Sequence, residues 1–313
     1  MAERRTWFQP AQRHADMKEH IGLIGIGLVG TALAENLLNV GYSVVGFDID
    51  PGRSRNLLTL GGISASSPLG VARQANRVFL SLMSTEIVRD VLNGPAGLLE
   101  AESLPRYIID TTTGDPEETA RIADALRQEG VFFLDSPISG SSEQIRQREA
   151  VPMIGGDRAA FEACQDLFSA IANRFFYVGP SGDGSKAKLA SNLVLGLNRL
   201  VLAEGLVFAQ RLGLNLKTFL SLLKETPAYS RSMDVKGQKM IEEDFHAESR
   251  MSQHKKDLEI ILHYAEKFGQ PLPLAQLHKE IIEDAIKAGD GELDSCAVIN
   301  QIRRPAEKGQ KRI

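Results

Sequence analysis

Lys188 and Asn192 stand four residues apart in a proline-free stretch that follows Gly182-Asp183-Gly184 and reads as helix. A spacing of four puts an ammonium and an amide on one helical face, one turn from each other. That pair suits the reduction of a carbonyl. Hydride arriving at carbon leaves negative charge on oxygen; a lysine can give the proton and an asparagine can orient the substrate. Burial can lower a lysine pKa from ~10.4 toward ~7–8, the range that acid–base work near neutrality needs. From spacing alone, an exposed lysine beside a helix-packing amide is the commoner arrangement.

A second chemical signal lies near the start. Gly25-Ile26-Gly27-Leu28-Val29-Gly30 follows the short apolar run His20–Ile24 and opens a helix. In that context Gly25 permits a tight turn, Gly27 lets a pyrophosphate approach the backbone, and Gly30 lets helix and strand pack closely. The helix N-terminus offers free N–H groups and partial positive charge to the phosphates. Asp48 ends the next apolar run, 18 residues after Gly30, where its carboxylate can bind ribose hydroxyls. A carboxylate there repels a 2′-phosphate, so NAD is expected over NADP. Arg53 and Arg55 follow and read as solvated helix-face residues. The alternative is a tight glycine turn with no ligand.

The elements that must carry these residues change character along the chain. Short β-branched or aromatic runs, His20–Ile24, Tyr42–Asp48, Arg77–Met83, Tyr107–Asp110, Val131–Asp135, Val151–Ile154 and Phe175–Val178, read as buried strands. Helical stretches lie between them. Thr31–Val40 ends at Gly41, Asp115-Pro116 opens one, and Asp157 caps one through Phe168. Such alternation predicts an α/β fold, a doubly wound parallel sheet covered on both faces. After Gly184 the strands stop. Lys186 to about Leu212 reads as one helix of ~40 Å, in which Gly196 and Gly205 imply close helix packing. Helices follow at Leu216–Lys224, Met251–Phe268, Leu274–Ala288 and Ser295–Arg303. The expected organisation is a polar extension over 1–19, a Rossmann-type NAD-binding domain over 20–183, an all-α domain over 184–303 joined by the long helix, and a tail over 304–313.

Composition narrows the function classes. The chain has 313 residues, 36 Lys plus Arg against 40 Asp plus Glu, and net charge -4, which excludes a broad electrostatic footprint for nucleic acid. Hydrophobic residues at 43% supply a full core. Cys164 and Cys296 form no CxxC, so a reducing compartment is expected. No apolar run reaches membrane-span length and the first twenty residues hold no apolar signal region, so the expected location is the cytoplasm, without a membrane partner. His246, His254, His263 and His278 fall into no metal motif, and no metal is expected.

Four blocks resemble the β-hydroxyacid dehydrogenases, the family of 3-hydroxyisobutyrate dehydrogenase. They are the Gly25–Gly30 turn, Asp135-Ser136-Pro137-Ile138-Ser139-Gly140, the pair Lys188 and Asn192 behind Gly184, and Lys256-Asp257-Leu258. Asp110-Thr111-Thr112-Thr113 is similar to a further family segment. The likeness runs from about Ile21 to Gln301. It implies NAD(P)-linked oxidation of a small 3-hydroxy acid, or reduction of its semialdehyde, with Lys188 as general acid/base and Asn192 holding substrate. It also implies Ser139, Gly140 and Ser141 as substrate residues, the first two binding the carboxylate by hydroxyl and backbone N–H. Thr113 and Lys256 would border the nicotinamide, and Leu82 with Met83 would form the loop beneath the cofactor. Leu28 and Val29 complete the phosphate turn.

The sequence departs from the family in the loop after Gly140, where Ser141-Ser142-Glu143-Gln144-Ile145-Arg146-Gln147-Arg148 replaces glycines. A smaller and more basic pocket is expected if that loop faces substrate. Arg146 or Arg148 could then bind a second anionic group; a charged exposed turn is the commoner alternative. Met83 stands where a proline is common. Imine reductases share the architecture but normally lack the lysine, and phosphogluconate-type enzymes have longer chains. The competing functions are a dinucleotide-binding protein of this fold without turnover and an NADPH-dependent short-aldehyde reductase. Apolar helices with interior glycines lead us to expect a homodimer or homotetramer.

Overall fold

The computed structural model describes residues 19–304; the polar extension and the tail read from the sequence lie almost wholly outside the described residues. Nine strands form the sheet: β1 (His20–Ile24), β2 (Ser43–Phe47), β3 (Ile63–Ser64), β4 (Arg77–Leu80), β5 (Tyr107–Asp110), β6 (Phe132–Asp135), β7 (Ile138–Ser139), β8 (Val151–Gly155) and β9 (Phe176–Gly179). Their order is β3-β2-β1-β4-β5-β6-β8-β7, with β9 beside β8. The first six are mutually parallel. The doubly wound parallel sheet expected from the sequence is present, and its parallel order ends at β6. There β8 runs antiparallel to β6 and to β7, because only a short connection separates β6 from the β7–β8 hairpin.

Alternation along the strands builds two cores, one on each face. Val78, Leu80, Ile108 and Phe133 join the cluster on one side. Their neighbours Phe79, Ile109 and Leu134 join the other, with Leu33, Leu37 and Phe168. Successive side chains leave a strand on opposite faces, so strands apolar at every position must be covered twice. The capping signals hold: Asp115 accepts from the amides of Glu117 and Glu118, and Asp157 from that of Ala160. The stretch after Asp157 is two short helices, Arg158–Ala163 and Gln165–Ile171, broken at Cys164.

A helix of 29 residues, Asp183–Arg211, leaves the sheet and forms the spine of the helical part. By length and composition it could cross a membrane, yet half of its most apolar window is buried inside the protein. Gly196 packs as expected: a Cβ there would sit 2.7 Å from His254 Nε2, on helix Met251–Lys267. Gly205 does not; nothing lies within 4 Å of the same added atom. Leu202, Leu206, Met240, Leu258 and Ile282 form a third core around this spine.

Candidate active site

The junction between β6 and the long helix sets the position of the candidate lysine. Asp135, the last residue of β6, accepts from Gly182 N at 2.9 Å with one oxygen and from Ser185 N at 2.8 Å with the other. Its carboxylate thus satisfies amides that the first helical turn leaves unbonded. Gly184 lets the helix start touch the sheet, since a Cβ there would lie 2.5 Å from the carbonyls of Asp135 and Met153. Lys188 follows one turn later, only 7% exposed, and its Nζ donates to Ile138 O at 2.7 Å. Burial pulls its pKa down to about 8; the Asp257 carboxylate opposes the shift, and the charges of Arg199 and Lys256 add to it.

Asn192 lies one turn further on, and its Nδ2 donates to Asp257 Oδ2 at 2.8 Å. Asp257 comes from helix Met251–Lys267, and burial raises its pKa. Its other oxygen is buried without a hydrogen bond, 3.8 Å from Lys256 Nζ. Lys256 joins the two halves of the chain, donating to Met83 O at 2.9 Å and to Thr113 O at 2.6 Å. Those carbonyls lie just beyond the carboxyl ends of β4 and β5. Leu82 N donates to Thr112 Oγ1 at 3.2 Å and Thr112 N to Asp110 Oδ1 at 2.9 Å, so the two loops are bonded to each other. Burial pushes the Asp110 carboxyl up to about 7.

Between these elements lies a cavity of about 390 Å³. Thr113, Ser139, Gly140, Ser141, Lys188 and Asn192 all line it, so residues distant in sequence converge on one space. Asp257, Gln253 and His254 line it from the facing helix. Burial holds His254 well below the usual histidine range, so its ring is neutral. Ser141 is more committed than expected. It caps the short helix Ser142–Arg146; its amide donates to Gln144 Oε1 at 2.9 Å and its hydroxyl accepts from Gln144 N. The Ser141 amide is therefore spoken for, while Ser139 lines the cavity with its hydroxyl unbonded among the described residues.

The glycine turn lies at the carboxyl end of β1, at the point where the strand order reverses between β1 and β4. Gly25 has φ +89°, and a Cβ on Gly30 would fall 2.0 Å from Gly25 O, so both are demanded by the fold. Gly27 is not: an added Cβ would meet only Arg53 Nη1, at 3.8 Å. That open space, above the N-terminus of helix Leu28–Asn39, is the cradle a pyrophosphate needs. Leu28 and Val29 form the first helical turn. Asp48 is buried, accepting from Ile26 N at 2.7 Å and from Asp50 N at 2.9 Å. Arg53 is not simply solvated, because its guanidinium rests 3.4 Å from Asp48. These residues fit a nicotinamide dinucleotide.

Arg146 and Arg148 do not line the cavity. Arg146 donates to Glu35 at 2.7 Å, and Arg148 to the carbonyl of Ser169. The extra basicity of the cavity comes instead from Arg199, Arg231 and Lys236, which the sequence reading passed over. The motif Lys256-Asp257-Leu258 by itself assigns Asp257 no role. A signal existed for both kinds of residue. Positions 188, 192, 195 and 199 share one helical face, and His254 with Asp257 interrupt the apolar stripe Met251, Leu258, Ile261.

Comparison with known proteins gives the family. The profile of the NAD-binding domain of 6-phosphogluconate dehydrogenase matches residues 20–179, and that of the NAD-binding domain of NADP-dependent 3-hydroxyisobutyrate dehydrogenase matches residues 182–302. The chain is 31% identical over 280 residues to 2-(hydroxymethyl)glutarate dehydrogenase of Eubacterium barkeri, covering 89% of this chain and 93% of that one. It is 30% identical over 282 residues to 2-hydroxy-3-oxopropionate reductase of Escherichia coli, covering 90% and 96%. Among solved structures, 3-hydroxyisobutyrate dehydrogenase from Salmonella typhimurium superposes with TM-score 0.82 at 27% identity, over 90% of this chain and 99% of that one. The chain belongs to the β-hydroxyacid dehydrogenase family, and is an NAD(P)-dependent oxidoreductase of 3-hydroxy acids.

Proposed function

We propose that Lys188 is the general acid/base of this oxidoreductase, that Asn192 orients the substrate, and that NAD is preferred to NADP. The observation that carries the reading is a buried lysine, with its pKa brought to about 8, beside a fixed amide in one cavity. The bound nicotinamide supplies acceptance or donation of a hydride at the substrate carbon. In oxidation the neutral amine of Lys188 takes the hydroxyl proton as the carbonyl forms; in reduction the ammonium returns it. Ile138 O fixes the amine by one hydrogen bond, and Asp257 fixes the Asn192 amide. Ser139 Oγ and the Gly140 N–H are the proposed carboxylate ligands. The three relatives named above are each named for an alcohol or aldehyde one carbon removed from the carbon bearing a carboxylate, which supports the same substrate class here.

The preference for NAD is supported by the carboxylate of Asp48, just after β2, which repels a 2′-phosphate and pairs the nearby Arg53 guanidinium at 3.4 Å. A homodimer or homotetramer is supported by a stripe on the long helix, Val194, Val201, Phe208 and Leu212, each more than half exposed. A cytoplasmic location is supported by two unpaired, buried cysteines, Cys164 and Cys296. The test is NAD(P) reduction over 3-hydroxyisobutyrate, glycerate, threonate and 4-hydroxybutyrate, with Lys188→Ala as control. Turnover with a 3-hydroxy acid, lost in the variant while NAD still binds, is the expected result. NAD binding with no turnover on any member would replace the reading with a non-catalytic dinucleotide-binding protein.

A further inference from the structure

The face of the long helix that carries Lys188 and Asn192 continues through Leu195 to Arg199, and all four line the cavity. The two cations are eleven positions apart, ~16 Å along the axis. Lys188 and Arg199 line one cavity, so the lysine shares that space with the guanidinium. Its charge is felt there, since it helps hold the lysine pKa down.

Arg199 is 7% exposed, and its Nε is buried with no hydrogen-bond partner. Among the described residues no carboxylate lies within ion-pair distance of it. The acidic groups whose charge reaches it are engaged elsewhere. Asp294 holds Lys236 at 3.0 Å and accepts from the amides of Glu248, Ser249 and Cys296. Asp257 holds Asn192. Two of the other cavity cations are paired with carboxylates, Lys236 also with Glu248 at 3.0 Å and Arg231 with Glu149 at 3.0 Å, while Lys188 is held by the Ile138 carbonyl. A buried guanidinium without a counterion is costly to the fold, and the fork of N–H groups stays unused unless something planar and anionic occupies it.

We propose that Arg199 receives a second carboxylate on the substrate, so that the enzyme prefers 3-hydroxy acids bearing two carboxylates. This rests on the hydroxy-acid reading above. One carboxylate sits by Ser139 and Gly140, next to Lys188, and the other lies further along the helix against Arg199. A monoanionic carboxylate matches a single unpaired guanidinium. A dianionic phosphate would leave excess negative charge beside Asp257.

The test compares 3-hydroxyisobutyrate with its analogues 2-(hydroxymethyl)succinate and 2-(hydroxymethyl)glutarate, which carry a carboxylate-bearing arm in place of the methyl group. The wild type should favour a dicarboxylate in kcat/KM by more than about tenfold, and Arg199→Met should lower that ratio by about 10²-fold, mainly through KM. Arg199→Lys should recover part of it. The Tm of Arg199→Met should rise by ~2–4 °C, the opposite of what loss of a structural arginine would do. No dicarboxylate preference in the wild type, an equal loss on both classes in the variant, or a fall in Tm would overturn the proposal while leaving the hydroxy-acid reading intact. Should no hydroxy acid turn over, that reading fails, and titration of glutarate into the NAD-loaded protein decides the site. Binding by the wild type that Arg199→Met abolishes supports the second carboxylate site; no binding overturns it.

Discussion

Lys236 and Arg199 line the same cavity and are buried to nearly the same extent, 5% and 7% exposed, yet their surroundings are opposite. Lys236 comes from the π-helical turn Met233–Gly237 and meets two carboxylates at 3.0 Å, Glu248 and Asp294. Arg199 meets none among the described residues. The first charge is solvated by the fold and belongs to the wall. The second is left for whatever enters. Lys188 lines the same cavity and is held by a carbonyl rather than a carboxylate; burial lowers its pKa, and no ion pair ties it up.

That comparison can be broken at several points. Lys236→Met should have the largest effect on stability, a loss of about 3–5 kcal/mol in urea unfolding, because it leaves the buried Asp294 carboxylate without an ion-pair partner among the described residues, whereas Glu248 keeps Lys239. A small loss would mean the pairing is dispensable. Lys188→Met should cut kcat by about 10²–10³-fold, or ~3–4 kcal/mol, with the NAD dissociation constant almost unchanged. Its pH profile sharpens the point. Oxidation needs the neutral amine, so kcat should rise with pH through about 8; reduction needs the ammonium and should fall over the same range. Because the folded value lies below the ordinary 10.5, the unfolded chain binds the extra proton between the two, and stability should rise with pH from about 8 toward about 10. Lys188→Met should remove both dependences.

Arg199→Met should stabilise the protein by about 1–3 kcal/mol, opposite in sign to Lys236→Met. Two losses of equal size would erase the distinction. Asp257→Asn should lower kcat about tenfold by freeing the Asn192 amide, with KM moving less. Gly27→Ala should weaken NAD binding about tenfold in a fluorescence titration and shift stability by less than about 1 kcal/mol, since its Cβ meets open space.

Much of this site was legible because its signals are local. The glycine turn, the caps at Asp115 and Asp157 and the four-residue step from Lys188 to Asn192 are each written within a few residues of backbone. The misses have physical causes. β3 and β7 are two residues long and leave no alternation to read. Arg146 and Arg148 follow the substrate-loop motif, but Glu35 and the Ser169 carbonyl, from distant elements, draw them elsewhere. Asp257 gains its role from Asn192, 65 residues away.

The order of residues alone decided that strands and helices alternate up to the long helix, that the turn after β1 can hold a pyrophosphate, and that a lysine and an amide share one helical face. These depend on periodicity and backbone geometry, which neighbours in the chain control. Which cation lost its water, which kept a counterion and which was left unpaired came only with folding. Burial and pairing are set by what the other elements bring within a few ångströms, and no stretch of sequence contains that distance.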